Sequence, residues 1–384
     1  MNIDSSIIVF TIKMINFIGL DEQKIILGDK IQKRIQGVID HGKFILGPEV
    51  NQLEERLADY VGVKHCISCS SGTDALLMSL MASGIGKNDA VITSPFSYIA
   101  TAEVIELLGA RVYFCDISEQ TYNLDCSKLD STIDQISKDG LDLKAIIAVD
   151  IFGLPARFRL LEKLCKEKGI ILIEDMAQSF GSSIRERKAG SFGDFSATSF
   201  FPSKPLGCYG DGGAIFTSND EHADILKSIR VHGSGKNKYD NIRVGINGRL
   251  DTIQAAILLE KIEIFDHELL LREEVSEIYK SSISDEYIFQ YIPEGYKSAN
   301  AIFSVITHSN KNREKIISKF SEENIPIMVY YPISLNKQPV FRNLYNFPAQ
   351  KNSEDISSKI FAIPFHPYIK RKDQEKIIGL LNEV

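Results

Sequence analysis

Long hydrophobic runs are missing from the 384-residue chain. No apolar stretch approaches the roughly 20 residues that an α-helix needs to cross a bilayer, so the sequence predicts no membrane span. The first 20 residues carry Asp4 and Lys13 and lack the charged start and the small-residue cleavage site of a secretory signal. We therefore expect no membrane partner and a cytoplasmic protein.

A run of basic residues is missing as well. The 44 lysines and arginines are outnumbered by 51 aspartates and glutamates, which gives a formal net charge of −7. Nucleic-acid-binding surfaces concentrate positive charge, and the sequence contains no basic helix–turn–helix. The charge balance argues against nucleic acid as a partner, although it leaves room for a local basic pocket that binds a sugar nucleotide.

Cysteine is scarce, and its spacing excludes the usual metal motifs. Of six cysteines, only Cys66 and Cys69 have CxxC spacing. No second pair accompanies them, and Cys66 lies in an apolar stretch, which favours buried thiols over a zinc site or a redox pair. We predict no metal site, and unpaired thiols again indicate the cytoplasm.

No internal repeat or low-complexity segment divides the chain, and 44% hydrophobic and 25% charged residues are typical of a globular protein. The length predicts two domains. We place a large α/β domain at residues 14–250, a long linking helix at 251–282 and a small α+β domain at 283–384. Met14 is an alternative start, because residues 1–13 fit no later pattern.

Strand-like and helical stretches alternate through the large domain, which predicts a mainly parallel sheet of seven strands with right-handed crossovers. The predicted strands are 63–69, 90–94, 110–116, 145–151, 170–174, 195–201 and 214–217. The clearest helices are 30–40, 49–61, 157–168 and 250–279, and a long polar loop is predicted at 229–249. In the small domain we predict strands at 302–307 and 327–331 and helices at 312–323 and 372–382.

One lysine stands in an unusual setting. Lys204 lies between Pro202 and Pro205, directly after an apolar run and before Gly207. Each proline fixes its own φ and restricts the residue before it, so the lysine has little backbone freedom. Such a lysine suits an amine nucleophile that condenses with an aldehyde. The alternative is a surface lysine in a turn.

An acid ends a second apolar run. Residues 169–174 have the continuous apolar character of a buried parallel strand, and Asp175 follows at its carboxyl end. Ligands of open α/β sheets bind beyond the carboxyl ends of the strands. A carboxylate there can keep a pyridine nitrogen protonated. Lys204 and Asp175 are therefore the two groups that pyridoxal 5'-phosphate (PLP) needs most.

Small polar residues join a strand to a helix at residues 70–74. Backbone N–H groups and the positive end of the helix dipole would face an anion there, with Ser70 or Ser71 as the cap. We expect a cofactor phosphate at this position, and a capped helix without a ligand is the alternative. Tyr98 follows the next strand, where an aromatic ring can lie on a flat ligand or pack in the core.

Four motifs, taken together, resemble the DegT/DnrJ/EryC1/StrS family of sugar aminotransferases. Each motif alone is weak, but the combination is specific, and the resemblance covers nearly the whole chain after residue 14. The motifs are Ser71-Gly72-Thr73-Asp74-Ala75, Glu174-Asp175-Met176-Ala177-Gln178-Ser179, Phe201-Pro202-Ser203-Lys204 and Gly245-Ile246-Asn247-Gly248-Arg249-Leu250-Asp251.

The resemblance implies a PLP-dependent transferase of fold type I. It implies a mainly parallel seven-stranded sheet with helices on both faces and a smaller C-terminal α+β domain. It also implies a homodimer whose active sites are shared between subunits. Lys204 would bond to the cofactor, and Asp175 would pair with its ring nitrogen. The other implied residues are Gln178 and Tyr98 at the ring, Gly72, Thr73, Ser199 and the partner subunit's Asn247 at the phosphate, and Tyr331, Lys337 and the partner subunit's Arg249 at the substrate.

Within the family, residues 199–213, 335–339 and 366–368 most resemble enzymes that aminate C3 of UDP-2-acetamido-2-deoxy-3-oxo-glucuronate in surface polysaccharide synthesis. The resemblance implies L-glutamate as the amino donor, 2-oxoglutarate as its product and a UDP-sugar as the acceptor. The chain departs from this branch at Tyr330, where the branch carries histidine.

Three alternatives stay open beside this substrate. The first is the same chemistry at C4 or C3 of a neutral dTDP- or UDP-keto sugar. The second is the C3-dehydratase branch, in which histidine replaces the lysine, so that Lys204 argues against it. The third is a regulator without catalytic activity, which would need a DNA-binding element that the acidic chain does not show.

Overall fold

The structure, a computed structural model, describes residues 15–237 and 239–384. Met14, the alternative start, lies outside the described residues. The strands are β1 (His65–Cys69), β2 (Asp89–Thr93), β3 (Arg111–Phe114), β4 (Asp142–Val149), β5 (Ile171–Asp175), β6 (Ser183–Ile184), β7 (Arg187–Lys188), β8 (Phe195–Ser199), β9 (Gly213–Thr217), β10 (Ile288–Phe289), β11 (Tyr296–Lys297), β12 (Ser304–Ile306) and β13 (Ile360–Ala362).

Twelve α-helices surround these strands in the described part of the chain. They are α1 (Leu20–His41), α2 (Pro48–Val61), α3 (Gly72–Ala82), α4 (Ala100–Leu107), α5 (Leu129–Lys138), α6 (Phe158–Lys168), α7 (Asp220–Ile229), α8 (Thr252–Ser282), α9 (Asn310–Glu322), α10 (Pro339–Arg342), α11 (Lys351–Lys359) and α12 (Arg371–Asn382). None of these helices is long and apolar enough to cross a membrane.

Seven strands form the central sheet, in the order β1-β9-β8-β5-β4-β2-β3. Six of them run in one direction, and β9 alone runs against its neighbours β1 and β8. Successive strand residues enter different apolar clusters on the two faces; Ile67, for example, joins one cluster and Cys66 another. The mainly parallel sheet with helices on both faces is therefore confirmed.

The long helix α8 packs against different elements along its length. Its first half packs against α1 and α2, and Ile257 of α8 meets Leu27 and Ile31 of α1. Its second half contributes Val275 and Tyr279 to an apolar cluster with β12, α9 and α12. Helix α1 begins ten residues before the predicted helix, because the helical face that buries Gln23 and Leu27 continues upstream of residue 30.

One predicted strand is wrong. Residues 327–331 form no strand; only Met328 makes an isolated bridge, to Ala362 of β13. Pro326 and Pro332 bracket the segment, and proline cannot donate to a strand ladder. The predicted strand at 302–307 is present as β12, and the segment 229–249 is a loop stabilised by isolated bridges.

The two spaced cysteines are buried free thiols, as predicted. Cys66 and Cys69 lie on β1, and burial raises the pKa of each thiol above its usual range. A thiol that stays protonated is a poor metal ligand and a poor nucleophile. The described residues contain no group of three or more His, Cys, Asp or Glu side chains arranged to hold a metal ion.

Candidate active site

A tight loop after β8 holds Lys204. The Lys204 N–H donates to the Phe201 carbonyl at 2.9 Å, and the Cys208 N–H donates to the Phe200 carbonyl at 2.8 Å. A Cβ on Gly207 would lie 2.6 Å from the Phe201 carbonyl oxygen, so the loop closes only with glycine there. Burial lowers the pKa of the Lys204 amine, and nearby Asp175 counters this shift. A lowered pKa increases the neutral fraction of the amine near pH 7, and the neutral amine is the form that acts as a nucleophile or a base.

Asp175 is the last residue of β5 and is 5% exposed. Its Oδ2 accepts a hydrogen bond from the Thr101 hydroxyl at 2.7 Å, and its Oδ1 accepts one from the Ala177 N–H at 3.2 Å. Burial raises the pKa of the carboxyl, while Thr101, Ala177 and Lys204 lower it. The net pKa of the carboxyl is raised, because the burial outweighs these neighbours, which favour the ionised form.

The N-terminus of α3 meets the end of β8 beside these two groups. Ser71 is the helix cap, and its hydroxyl accepts a hydrogen bond from the Asp74 N–H at 3.0 Å. A Cβ on Gly72 would lie 2.7 Å from the Ser199 Cβ, so only glycine allows this approach. The free N–H groups of α3 and the Thr73 and Ser199 hydroxyls form a cradle suited to a phosphate.

Aromatic and amide groups form another side of the site. Gln178 is buried; its Oε1 accepts from the Phe152 N–H at 2.8 Å, and its Nε2 donates to the Tyr331 hydroxyl at 3.1 Å. These two bonds fix the amide and orient the Tyr331 hydroxyl. Tyr98 is 59% exposed, so its ring is not part of the core and is free to contact a ligand.

A cavity of about 620 Å³ joins these groups. Such a volume accommodates a cofactor together with part of a substrate. Eight of the predicted site residues line it: Gly72, Thr73, Tyr98, Asp175, Gln178, Ser199, Lys204 and Tyr331. The amine, the carboxylate and the helix N-terminus therefore face one space.

Three predicted residues do not line this cavity. Asn247 is exposed, and Arg249 is half-buried; both lie in the loop that follows α7. The Arg249 guanidinium makes no hydrogen bond or ion pair within the described part of the chain, and its Nε is buried without a partner. Lys337 is exposed and forms an ion pair with Glu354 at 3.4 Å.

Several cavity residues were not predicted from the sequence. Thr101 donates a hydrogen bond to Asp175. The sequence does contain a signal for it: Ser97 and Thr101 are spaced i, i+4, as on one polar face of a helix, and their hydroxyls form a hydrogen bond at 3.0 Å. Phe17 and Ile18 also line the cavity. Nothing in their local sequence indicates a site, because their position depends on contacts with the C-terminal part of the chain.

The strand order, the lysine loop and the acid at the end of β5 define the class of PLP-dependent transferases of fold type I. The chain belongs to the DegT/DnrJ/EryC1/StrS aminotransferase family, whose sequence profile it matches over residues 26–382.

Comparison with individual proteins gives the same result. The chain is 44% identical, over 357 residues, to the UDP-2-acetamido-2-deoxy-3-oxo-D-glucuronate aminotransferase of Pseudomonas aeruginosa, which covers 93% of this chain and 96% of that protein. A crystal structure of a DegT/DnrJ/EryC1/StrS aminotransferase from Brucella abortus is 41% identical and superposes with a TM-score of 0.93, covering 96% of this chain and 98% of that one.

A second solved structure is the NtdA protein of Bacillus subtilis with its bound cofactor PMP. It is 26% identical, with a TM-score of 0.85, and the superposition covers 96% of this chain and 82% of that one.

Proposed function

We propose that the protein transfers an amino group from L-glutamate to C3 of UDP-2-acetamido-2-deoxy-3-oxo-glucuronate, as part of surface polysaccharide synthesis. The observation that carries the proposal is the shared cavity of Lys204 and Asp175 beyond the carboxyl ends of the sheet. The identity to the Pseudomonas aeruginosa enzyme over nearly the whole chain supports the choice of acceptor.

PLP would be held by the residues that meet in the cavity. Lys204 would bond to its aldehyde, and Asp175 would face its ring nitrogen. The N–H groups at the start of α3, with Thr73 and Ser199, would bind its phosphate. When bound, this cofactor withdraws electrons from the amino-bearing carbon of the substrate, so that the proton on that carbon becomes removable.

The protein's own groups then move and hold the proton. The Lys204 amine, whose pKa is lowered by burial, would act as a positioned base and hold the proton taken from the donor carbon; such positioned transfer is typically worth ~10²–10⁴ in rate. Thr101 and Ala177 donate to Asp175 and favour its ionised form, against the burial that raises the pKa of this carboxyl. The same groups serve the second half of the reaction, in which the keto sugar receives the amino group.

Arg249 would bind the uronate carboxylate. A guanidinium matches a carboxylate with two parallel hydrogen bonds, and this one makes no hydrogen bond or ion pair among the described residues. Because it does not line the cavity of its own chain, we propose that it acts across a homodimer interface, together with Asn247. The exposed apolar side chains Ile242 and Val244 on the same loop, 58% and 83% exposed, support a buried role in such a dimer.

The acceptor is tested by incubating the purified holoprotein with glutamate and a panel of keto sugar nucleotides, read by mass spectrometry. We expect amination of the 3-oxo-glucuronate in preference to its neutral 3-oxo-glucose analogue and to dTDP-4-keto sugars. Lys204→Ala is the control and should give neither product nor a borohydride-reducible adduct with PLP. A preference for a neutral sugar would instead favour the alternative acceptor, and turnover by Lys204→Ala would refute the assigned nucleophile.

Arg249→Ala tests the basis of that preference. We expect kcat/KM for the uronate to fall by ~10²-fold, the cost of losing a charge-assisted pair, with a much smaller loss for the neutral analogue. Arg249→Lys keeps the charge without the planar fork, so its kcat/KM for the uronate should lie between the values of the wild type and of Arg249→Ala. An equal loss on both sugars would show that Arg249 does not read the carboxylate.

A further inference from the structure

Helix α8 carries a buried lysine that the proposed reaction does not use. Lys261 is 1% exposed, and among the described residues it forms no salt bridge. Its Nζ donates to the Gly207 carbonyl at 2.7 Å. Burial lowers its pKa to about 8, against the opposing effect of Glu268. Burying an ammonium without a carboxylate in contact is costly, and the hydrogen bond to Gly207, together with the Tyr209 ring whose centroid lies 4.4 Å from Nζ, offsets part of that cost.

Gly207, whose carbonyl accepts this hydrogen bond, lies at the end of the loop that carries Lys204. Inside the loop, backbone hydrogen bonds join Lys204 to Phe201 and Cys208 to Phe200. Gly207 sits where these turns close, against the Phe201 and Pro202 carbonyls. The bond from Lys261 is the one side-chain hydrogen bond to Gly207 among the described residues, and it ties the closed loop to α8.

Helix α8 is itself held in place by hydrogen bonds from other segments. Two other charged residues of α8, Glu268 and Arg272, are buried behind the loop. Glu268 accepts hydrogen bonds from Gln23 of α1, at 2.7 Å, and from the Tyr368 hydroxyl. Arg272 donates to the Asn300 carbonyl at 3.2 Å. Helix α8 is thus fixed by segments from both ends of the chain.

A small polar cavity of about 30 Å³ separates the helix from the loop. Lys204, Gly207, Lys261, Glu268 and Arg272 all contribute to its lining. It has room for a water molecule but not for a cofactor or sugar. Lys204 therefore lies between two spaces, with the active-site cavity on one side and the charged face of α8 on the other.

We propose that Lys261 is a positioning residue for the transamination: by holding the Gly207 carbonyl, it keeps the loop closed and the Lys204 amine directed into the active-site cavity. The inference rests on the proposed role of Lys204. In each half of the reaction that amine would act as a base while it is not bonded to the cofactor, so the loop would have to hold its lysine in place unaided. Misplacement of a catalytic group by about 1 Å can cost on the order of 10²-fold in rate.

Lys261→Met tests the tie, since it removes the ammonium and keeps most of the apolar stem. Lys280→Met is the matched control: the same change on the same helix, at a partly exposed lysine that pairs with Glu277 at 3.1 Å. In the cofactor-free protein, we expect amide hydrogen exchange in residues 200–208 to be at least ~10-fold faster in Lys261→Met than in the wild type, and unchanged in Lys280→Met.

Kinetics provide a second readout. In the holoenzyme, Lys261→Met should lower the rate of the glutamate half-reaction by ~10-fold or more and leave the KM for the sugar nucleotide within about twofold, because Lys261 does not line the substrate cavity. Lys261→Arg, which keeps a cationic donor, should recover most of the rate. If Lys261→Met does not fold, Lys261→Gln, whose shorter side chain falls short of Gly207, takes its place.

Two results would overturn the inference: wild-type exchange rates in residues 200–208 of Lys261→Met, or equal kinetic losses in Lys261→Met and Lys261→Arg. Failure of the proposed function is recognised separately. If borohydride with PLP does not label Lys204 in the wild type, the role of Lys204 is rejected, and the exchange comparison alone then decides whether Lys261 ties the loop.

Discussion

One hydroxyl group strongly influences the ionisation of Asp175. Burial at the end of a strand raises the pKa of this carboxyl, which is 5% exposed. The Thr101 hydroxyl, itself 1% exposed, donates to Oδ2 and is the largest influence that lowers the pKa of this carboxyl. Thr101 itself lines the cavity, and under the proposed role of Asp175 the electron-withdrawing chemistry depends on the ionised form that its hydroxyl favours.

Thr101→Val is expected to move the acidic limb of the pH–activity profile to higher pH. Without the hydroxyl the pKa of Asp175 rises, so protonation of the carboxylate begins at a higher pH and kcat/KM is lost there first. A hydrogen bond to a charged group is worth about 1.5–3 kcal/mol, so we expect a loss of ~10-fold or more on the acidic side. The measurement is kcat/KM against pH with glutamate as the varied substrate.

Thr101→Ser is the control for this change, because it keeps the hydroxyl and removes only a methyl group. Its acidic limb should coincide with that of the wild type. If the valine and serine variants shift the limb equally, packing rather than the hydrogen bond governs the titration.

At the scale of elements, the site depends on how closely the N-terminus of α3 approaches the end of β8. Gly72 begins the helix, and Ser199 ends the strand. The separation between them leaves no room for a methyl group on Gly72. The relative position of the two elements therefore fixes the phosphate cradle, because each element contributes groups to it.

Gly72→Ala should separate the two elements and weaken cofactor binding. Overpacking of this kind costs about 1–3 kcal/mol, which corresponds to roughly a 5- to 150-fold higher Kd for PLP. Equilibrium dialysis or the absorbance of the bound cofactor measures the change. Gly28→Ala in α1, where a Cβ meets nothing within 4 Å, is the control and should keep wild-type affinity. Wild-type affinity in Gly72→Ala would mean that the helix can shift without disturbing the cradle.

The elements also show how far sequence reasoning reaches. Asp175 and Lys204, which share a cavity, were predicted as site residues because strand ends and proline-bracketed loops leave local patterns, and the seven strands of the sheet were found through their apolar runs. The false strand at 327–331 had the same apolar pattern, but its flanking prolines prevent pairing. Thr101 and Phe17 were missed because their roles depend on contacts with residues distant in sequence.

At the scale of the whole molecule, the single chain contains most of the proposed site. Lys204 and Asp175 line its cavity, whereas Asn247 and Arg249 lie on a loop outside it. Under the proposed dimer, each site would combine the cavity of one protomer with the loop of its partner. Two point variants that each damage a different half of the site would then compensate for each other.

Co-expression of Lys204→Ala and Arg249→Ala protomers tests this sharing. Neither variant alone should turn over the uronate at more than a small fraction of the wild-type rate. Random pairing gives about half mixed dimers, each with one intact site, so the mixture should recover roughly a quarter of wild-type activity per protomer. Activity equal to the mean of the two separate variants would mean that Arg249 serves the cavity of its own chain.

The N-terminal residues give the cavity a wall that the family profile does not include. The match to the profile begins at residue 26, yet Phe17 and Ile18 line the cavity. The Phe17 ring meets the Tyr330 ring edge-on, and the Phe17 carbonyl accepts a hydrogen bond from the Phe365 N–H at 3.2 Å. Trimming the gene to the aligned region would retain every chemically reactive group and still leave a window open to bulk solvent. Aligned positions alone therefore understate what shields the amine.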